Sequence, residues 1–319
     1  MEKRILITGG AGFIGTNLVN YFIEKQERVL NIDITMPLVP SVKNCWQQVD
    51  LLDKDALLAA VHDFKPTHAV HLAARTDLAG KTEGDYAVNT DGTINLITAL
   101  NRVSSLEKIV FASSMLVCKP GYIPVHDLDF APTTVYGESK KNMELLIRRQ
   151  QMTAEWLIVR PSSIWGPWFK TPYRDFFDRV MAGKMFNIKG RACTKTYGFV
   201  LNTVYQIDKL LNTNGINGQL FYLGDQPALN ITEWANHICD KLNRHHPPAI
   251  PYPVFAIAAK LGDLLTKTGL PFPMTSFRLQ NMTTDNILPL ENLYNITGPG
   301  PYMEEEGISI TLDWINNHK

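Results

Sequence analysis

Arg4-Ile-Leu-Ile-Thr-Gly-Gly-Ala-Gly-Phe-Ile-Gly15 decides the fold of this chain. Arg4 to Thr8 is too apolar to face water on both sides and reads as a buried parallel strand. Gly9, Gly12 and Gly15 follow at a Gly-x-x-Gly-x-x-Gly spacing. The first permits a tight turn, the second lets a pyrophosphate approach the backbone, and the third lets the next helix, Phe13 to about Lys25, pack on the strand. That helix offers its N-terminus to an anion. A second strand, Arg28-Val-Leu-Asn-Ile-Asp33, ends in an acid about twenty residues on, where the hydroxyl pair of a ribose is bound. Asp33 repels a 2′-phosphate, and no arginine follows it in Ile34-Thr35-Met36, so the expected cofactor is NAD rather than NADP.

Strand and helix signals go on alternating from there. They comprise a strand near Trp46 to Val49, a helix from Lys54 to Phe64, a strand from His68 to Leu72 and a helix from about Tyr86 to Arg102. A strand from Lys108 to Ser113, a helix carrying Tyr136 that runs to about Gln150, and a strand from Trp156 to Arg160 complete the series. The pattern predicts an α/β chain: a Rossmann-type doubly wound parallel sheet over residues 1–165 and a smaller C-terminal α/β substrate domain over 166–319. Segments near 199–223 are expected to return to the sheet. From Pro161 the texture turns aromatic and Pro-rich, first in Trp165-Gly-Pro-Trp-Phe-Lys-Thr-Pro-Tyr173 and later at Pro247, Pro248, Pro251, Pro253, Pro271 and Pro273.

Composition narrows the partners. Across 319 residues, Lys+Arg 31 balance Asp+Glu 31, so no bulk charge draws the chain to nucleic acid or anionic lipid, and neither is an expected partner. The four cysteines, Cys45, Cys118, Cys193 and Cys239, are scattered without a Cys-x-x-Cys and suggest neither a metal site nor a disulfide framework. Met1 to Arg4 runs straight into the first strand, leaving no apolar core for a signal peptide; a cytoplasmic location is expected. Val254 to Leu265 is interrupted by Lys260 and Asp263 and falls short of the ~18 residues of a membrane span, so it reads as an amphipathic helix.

Tyr136-Gly-Glu-Ser-Lys140 points to redox chemistry on an alcohol. Its spacing puts the phenol and the ammonium on one helix face, a turn apart. A free tyrosine, with a pKa of about 10, is a poor base at neutral pH, and a neighbouring cation favours its phenolate.

In order along the chain, Thr8 to Gly15, Asp33, Asp50-Leu51, His71-Leu-Ala-Ala74, Asn89-Thr-Asp-Gly-Thr-Ile-Asn95, Ser113-Ser114, Tyr136 to Lys140 and Arg160-Pro-Ser-Ser-Ile-Trp-Gly-Pro167 carry a resemblance. Over nearly its whole length the chain resembles the extended short-chain dehydrogenase/reductases of the sugar-nucleotide epimerase and dehydratase group. The resemblance implies cofactor contact from Gly9, Gly12, Phe13, Ile14, Gly15, Asp33, Asp50, Leu51, Leu72, Ala73, Ala74, Asn89 and Ser162. Within that set Asp50 and Leu51 would meet the adenine, Ala73 and Ala74 would line the pyrophosphate and ribose, and Asn89 would sit at a strand end; a small-residue packing pair and a helix cap are the plainer readings of the last two. It also implies a catalytic triad of Ser114, Tyr136 and Lys140, with Ser113 bonded to nearby backbone instead. Ser163, Lys195 and Arg278 would join Ser114 at the substrate, with Lys195 or Arg191 in place of the arginine that relatives set on the diphosphate. A homodimer is expected, with Leu96, Leu100, Met143, Leu146 and Ile147 as its apolar seam or, equally, as core.

Departures from the family pattern bear on the reaction. Relatives that dehydrate a sugar carry carboxylates just after the active hydroxyl, whereas Met115 and Leu116 stand here and can move no proton. Epimerisation, ketone reduction and alcohol oxidation are left. The leading expectation is an NAD-dependent epimerase acting at a carbinol, at carbon 4 of a nucleotide-activated sugar, in polysaccharide biosynthesis. A reductase of a nucleotide-linked 4-keto-6-deoxy sugar, a hydroxysteroid-type dehydrogenase of an apolar alcohol, and a dinucleotide sensor without turnover stay open beside it.

Overall fold

The alternating signals fold as β1 (Arg4–Thr8), α1 (Phe13–Glu24), β2 (Arg28–Asp33), α2 (Pro40–Asn44), β3 (Trp46–Gln48), α3 (Lys54–Phe64) and β4 (His68–His71). Next come α4 (Ala87–Leu100), β5 (Lys108–Ala112), α5 (Val135–Arg149), β6 (Glu155–Pro161), β7 (Ser163–Trp165), α6 (Tyr173–Met181), β8 (Asn187–Lys189), β9 (Thr194–Lys195) and β10 (Tyr197–Phe199). The chain closes with α7 (Val200–Leu211), β11 (Leu220–Leu223), β12 (Leu229–Asn230), α8 (Ile231–Lys241), β13 (Ala249–Pro251), α9 (Tyr252–Lys267), α10 (Ser276–Thr283), α11 (Glu291–Thr297) and α12 (Glu304–Asn317). The computed structural model describes residues 2–171, 173–267, 270, 272 and 274–318; Pro172, Pro271 and Pro273 of the Pro-rich connections lie outside them.

Seven parallel strands form the central sheet in the order β11-β6-β5-β4-β1-β2-β3. β1 lies inside the sheet, with Ile5 opposite Val29 on one side and His68 on the other. The chain winds outward from β1 in both directions, so the order reverses between β1 and β4 and opens a crevice at their carboxyl ends, where ligands of doubly wound sheets bind. Helices α3, α4 and α5 pack as one layer, and α2, α1, α7 and α11 as another. Two-sided cover explains why Ile5 to Thr8 and Lys108 to Ala112 are buried at every residue.

The edge strand β11 comes from far along the chain and pairs with β6, Phe221 opposite Val159. Leu288 and Leu290, just before α11, and Leu293 within it enter the same core as Ile5 and Val110. Sequence reading missed that last return because α11, at 7 residues, is too short to show a period. A second core is aromatic: Trp165, Phe169, Phe177, Phe199 and Trp234 pack with Ile308 and Leu312 of α12. The third and smallest holds Ile188, Phe255, Ala259 and Leu279, from β8, α9 and α10.

Of the two readings of the apolar residues on α4 and α5, seam or core, the core one holds for four of the five. Leu96, Leu100, Met143 and Ile147 are fully buried in the protomer's own first core, so they supply no seam between copies; Leu146 is half-buried. The faces of α4 and α5 that carry them turn onto the sheet and onto each other.

Candidate active site

The turn after β1 is shaped by what glycine lacks. Gly9 has φ 76°, and a Cβ on it would stand 2.6 Å from the backbone nitrogen of Ala73, so the turn lies directly against the chain leaving β4. A Cβ on Gly15 would overlap the Gly9 carbonyl, which is how closely α1 sits on the turn. Gly12 is the N-cap of α1, with no side chain capping it and no acid in the first turn. The helix start is thereby left open to an anion. Gly10, absent from the sequence-based set, is required too, because a Cβ there would overlap the buried Asn31 amide.

Asp33, at the end of β2, does more than expected. Its carboxylate accepts from Ala11 N–H at 3.0 Å and Thr35 N–H at 2.8 Å, tying the glycine turn to β2. Phe13 and Ile14 are half-buried on α1, and Asn17, one turn on, donates to the Pro167 carbonyl at 3.0 Å. Across the crevice Leu72, Ala73 and Ala74 leave β4 half-buried. Beneath them His71 bonds Thr8 Oγ1 at 2.7 Å and Thr93 Oγ1 at 2.9 Å, and burial pushes its pKa down to about 3.

One placement differs from expectation. Asn89 lies in the first turn of α4 and neither ends a strand nor caps the helix, whose N-cap is Tyr86. Fully buried, it accepts from Arg75 N–H at 2.8 Å and donates to Arg75 O at 3.1 Å and Ser139 Oγ at 2.9 Å, clamping the chain beyond β4 to α5. Leu51 is buried under Gly92 in the first core, whereas Asp50 before it is exposed.

Ser114 follows β5 in extended backbone, and its Oγ accepts from Leu116 N–H at 3.1 Å. Thr134 caps α5 by accepting from Gly137 N–H at 3.0 Å, which sets Tyr136 in the first turn and Lys140 one turn deeper. Burial pushes the Tyr136 phenol up to about 12, opposed by its hydrogen bond with Ser114. Lys140 Nζ donates to the Ala112 carbonyl of β5 at 2.9 Å, and burial lowers its pKa to about 8 against the pull of Glu144. The lowered tyrosine pKa expected from the spacing is thus not met: Lys140 points inward at β5, whereas the Tyr136 ring lies 6.1 Å from that of Tyr86. Ser113 is corrected as well. Its hydroxyl donates to Glu144 Oε1 at 2.5 Å rather than to backbone. Glu144 is in turn held by Arg160 at 2.8 Å, and Arg160 also donates to Tyr222 Oη at 2.9 Å and to the Asp127 carbonyl at 2.8 Å.

Among the described residues the buried hydroxyl of Ser162 has no hydrogen-bond partner, an orphan at the carboxyl end of β6. Ser163 pairs with Tyr197 across β7 and β10 and shares a hydrogen bond with the Tyr173 phenol. Tyr173, whose charge would be felt by Tyr136, was missed in sequence because nothing in its Pro-rich context marks it. Lys195 Nζ donates to the Asn281 carbonyl at 2.6 Å, while Arg278 is exposed on α10. The structure therefore gathers Ser114, Tyr136, Ser163 and Tyr173, and holds the Lys195 ammonium on the chain end of α10. Among the described residues there is no cluster of three or more potential metal ligands, and the four cysteines are free. A glycine cradle, an open helix start, an acid at the second strand end and an orphaned hydroxyl at the sixth fit a dinucleotide.

Residues 5–197 match the model of the NAD dependent epimerase/dehydratase family, and the chain belongs to that family. It is 28% identical over 268 residues to a 3 beta-hydroxysteroid dehydrogenase/Delta 5-->4-isomerase of Mycobacterium tuberculosis, covering 76% of this chain and 70% of that protein. It is 25% identical over 326 residues to the N-acetyl-alpha-D-glucosaminyl-diphospho-ditrans,octacis-undecaprenol 4-epimerase of Escherichia coli O157:H7, covering 98% of this chain and 96% of the relative. The UDP-glucose 4-epimerase of Thermus thermophilus, solved as a complex with NAD, superposes with a TM-score of 0.73 at 21% identity over 99% of this chain and 100% of that one, a likeness of fold.

Proposed function

We propose that this protein is an NAD-dependent 4-epimerase of a diphosphate-linked sugar, with a nucleotide-activated hexose as its substrate class. The meeting of Ser114 and Tyr136 at the end of β5, with Met115 and Leu116 rather than carboxylates following Ser114, is the observation that carries the reading. Family membership and the names of the 4-epimerase relatives support it. Residues 1–165, with 199–223, would hold the cofactor, and most of 166–319 the substrate.

Bound NAD supplies a hydride acceptor and donor for the sugar carbon. Gly9, Gly12 and Gly15 would hold its pyrophosphate at the start of α1, Asp33 the adenosine ribose, Ala73 and Ala74 the opposite wall, and the Ser162 hydroxyl its other end. Tyr136 takes the proton of the carbinol hydroxyl and later returns it, and Ser114 bonds the same oxygen and steadies its charge. With its pKa near 8, Lys140 is largely charged at neutral pH; bonded to the Ala112 carbonyl in this structure, it would have to turn from β5 toward the bound cofactor and Tyr136 to favour the phenolate. Ser163 and Tyr173 would orient the sugar. Met115 and Leu116 offer no acid or base to a neighbouring carbon, so the chemistry stays at one carbinol.

Incubating the protein with UDP-hexoses and catalytic NAD is expected to give the C4 epimer with no net change in reduced cofactor. A second reading, oxidation of an apolar alcohol, is favoured by the hydroxysteroid dehydrogenase relative. Stoichiometric reduction of NAD by a 3β-hydroxysteroid, without epimerisation of any hexose, would decide for it.

A further inference from the structure

Among the described residues, α9 packs on the third core with one of its sides. α9 turns Phe255, Ala259 and Gly262 inward, and a Cβ on Gly262 would overlap the Met274 carbonyl. On its other side Val254, Ile257, Leu261 and Leu264 are between 50% and 70% exposed. Steps of three, four and three residues place them in one aliphatic stripe along the helix. A contiguous stripe of this kind marks an interaction surface.

Charge selects the occupant. The whole chain carries 31 basic and 31 acidic residues, yet segments 182–195 and 244–283, which build this lobe, carry eight lysines and arginines against one acid, Asp263. The rest of the chain is left with 23 against 30. The pairing of β8 with β13 brings the two segments together. Lys184, Lys189, Arg191, Arg244 and Lys260 are exposed there. Lys260 edges the stripe, three residues after Ile257 and four before Leu264. A second copy of the chain meeting this face would set two cationic lobes against each other. An aliphatic stripe edged by cations has the make-up of a helix that lies in a bilayer interface.

We propose that the outer face of α9 docks this protein peripherally on an anionic lipid bilayer, the stripe entering the boundary of headgroups and acyl chains and the lobe's cations meeting the phosphates. This concerns a surface and is independent of the reaction assigned above. It adds no membrane span: among the described residues no helix is long and apolar enough to cross one. α10 leads from the lobe to Asn286, whose amide contacts Met115 Sδ at 3.7 Å, next to Ser114, so the docking face and the candidate site belong to one connected wall.

Co-sedimentation of the full chain with vesicles of phosphatidylcholine, alone or mixed with phosphatidylglycerol, tests the proposal. Binding to the mixed vesicles is expected, with weak binding to phosphatidylcholine alone and a decline as salt rises. Ile257→Ser with Leu261→Ser, and separately Lys184→Glu with Lys189→Glu, are each expected to weaken binding at least ~10-fold while leaving the circular dichroism of the folded protein unchanged. Failure of the wild type to bind mixed vesicles overturns the proposal, and so does unaltered binding of the Ile257, Leu261 variant. A dimer that this variant dissolves, without vesicle binding, would give the face to a second copy instead.

Discussion

Tyr136 and Lys140 are both buried, and burial moves them in opposite directions: the phenol holds its proton more tightly and the ammonium less. Tyr136→Phe removes only the proton-transfer group, so cofactor binding should persist while turnover drops by at least ~100-fold. Steady-state rates beside a cofactor titration check this, and normal turnover would remove Tyr136 from the chemistry. Lys140 carries a stability consequence as well. Its folded pKa of about 8 lies below the ordinary 10.5, so the charged form is penalised in full below about pH 8, and the penalty is relieved as pH rises from there toward 10.5. Lys140→Met is therefore expected to lose activity and yet melt a few degrees higher at pH 7, with the gain shrinking by pH 10. Melting curves at both pH values test it; an equal loss at both would show that the bond to Ala112 outweighs the buried charge. The Tyr136, Lys140 spacing was legible in sequence, but the inward aim of Lys140 was not, because periodicity fixes a helix face and leaves a long side chain's rotamer to its neighbours.

Elements with a clear period or an unbroken apolar run were legible almost to the residue. α3 spans Lys54–Phe64 as read, the structure adding Asp53 as its N-cap, and β2 ends at Asp33 as read. Strands of two residues, β9 and β12, have no period to read and form through pairing with distant segments, β9 with β12 and with Asn286. The clamp made by Asn89 was illegible for a related reason: it joins the chain beyond β4 to α5, a contact between segments 50 residues apart. Asp33 shows how one element end serves two purposes. Asp33→Ser should contract or invert the preference for NAD over NADP and also weaken NAD itself, since the bond to Ala11 N–H is lost. Titrating both cofactors into both proteins measures this, and equal wild-type affinities would sink it. Between β6 and α5, Glu144 and Arg160 form a buried ion pair. Glu144→Ala leaves Arg160 charged and unpaired at a cost of about 3–5 kcal/mol, to be read from urea unfolding; a loss below about 1 kcal/mol would mean that water or Asp127 takes over.

At the scale of the molecule, a balanced composition conceals an uneven distribution. Equal totals of acids and bases argue against attraction to anionic lipid, and that inference holds only for a uniform surface; the cationic lobe exists because the fold sets 182–195 beside 244–283. The joints between cores are equally invisible in sequence. Asp225, just beyond β11, accepts from Phe199 N–H at 2.6 Å and Asn202 Nδ2 at 3.1 Å, and Asn202 exchanges bonds with Tyr302 on the approach to α12. One carboxyl thus links the edge of the main sheet to the aromatic core, and burial pushes its pKa up to about 7. A carboxyl whose folded pKa lies above its ordinary 3.8 binds its proton more tightly in the native state. Its contribution to stability is therefore greatest at low pH, falls as pH rises from about 4 to about 7, and is fully lost above that, the reverse of a salt-bridged acid. Asp225→Asn keeps an acceptor for Phe199 N–H and abolishes the titration. Relative to this variant, the wild type should lose melting temperature between pH 5 and pH 8, in a window below the one set by Lys140. A difference between the two proteins that stays constant across that range would show that the joint is held without a proton on Asp225.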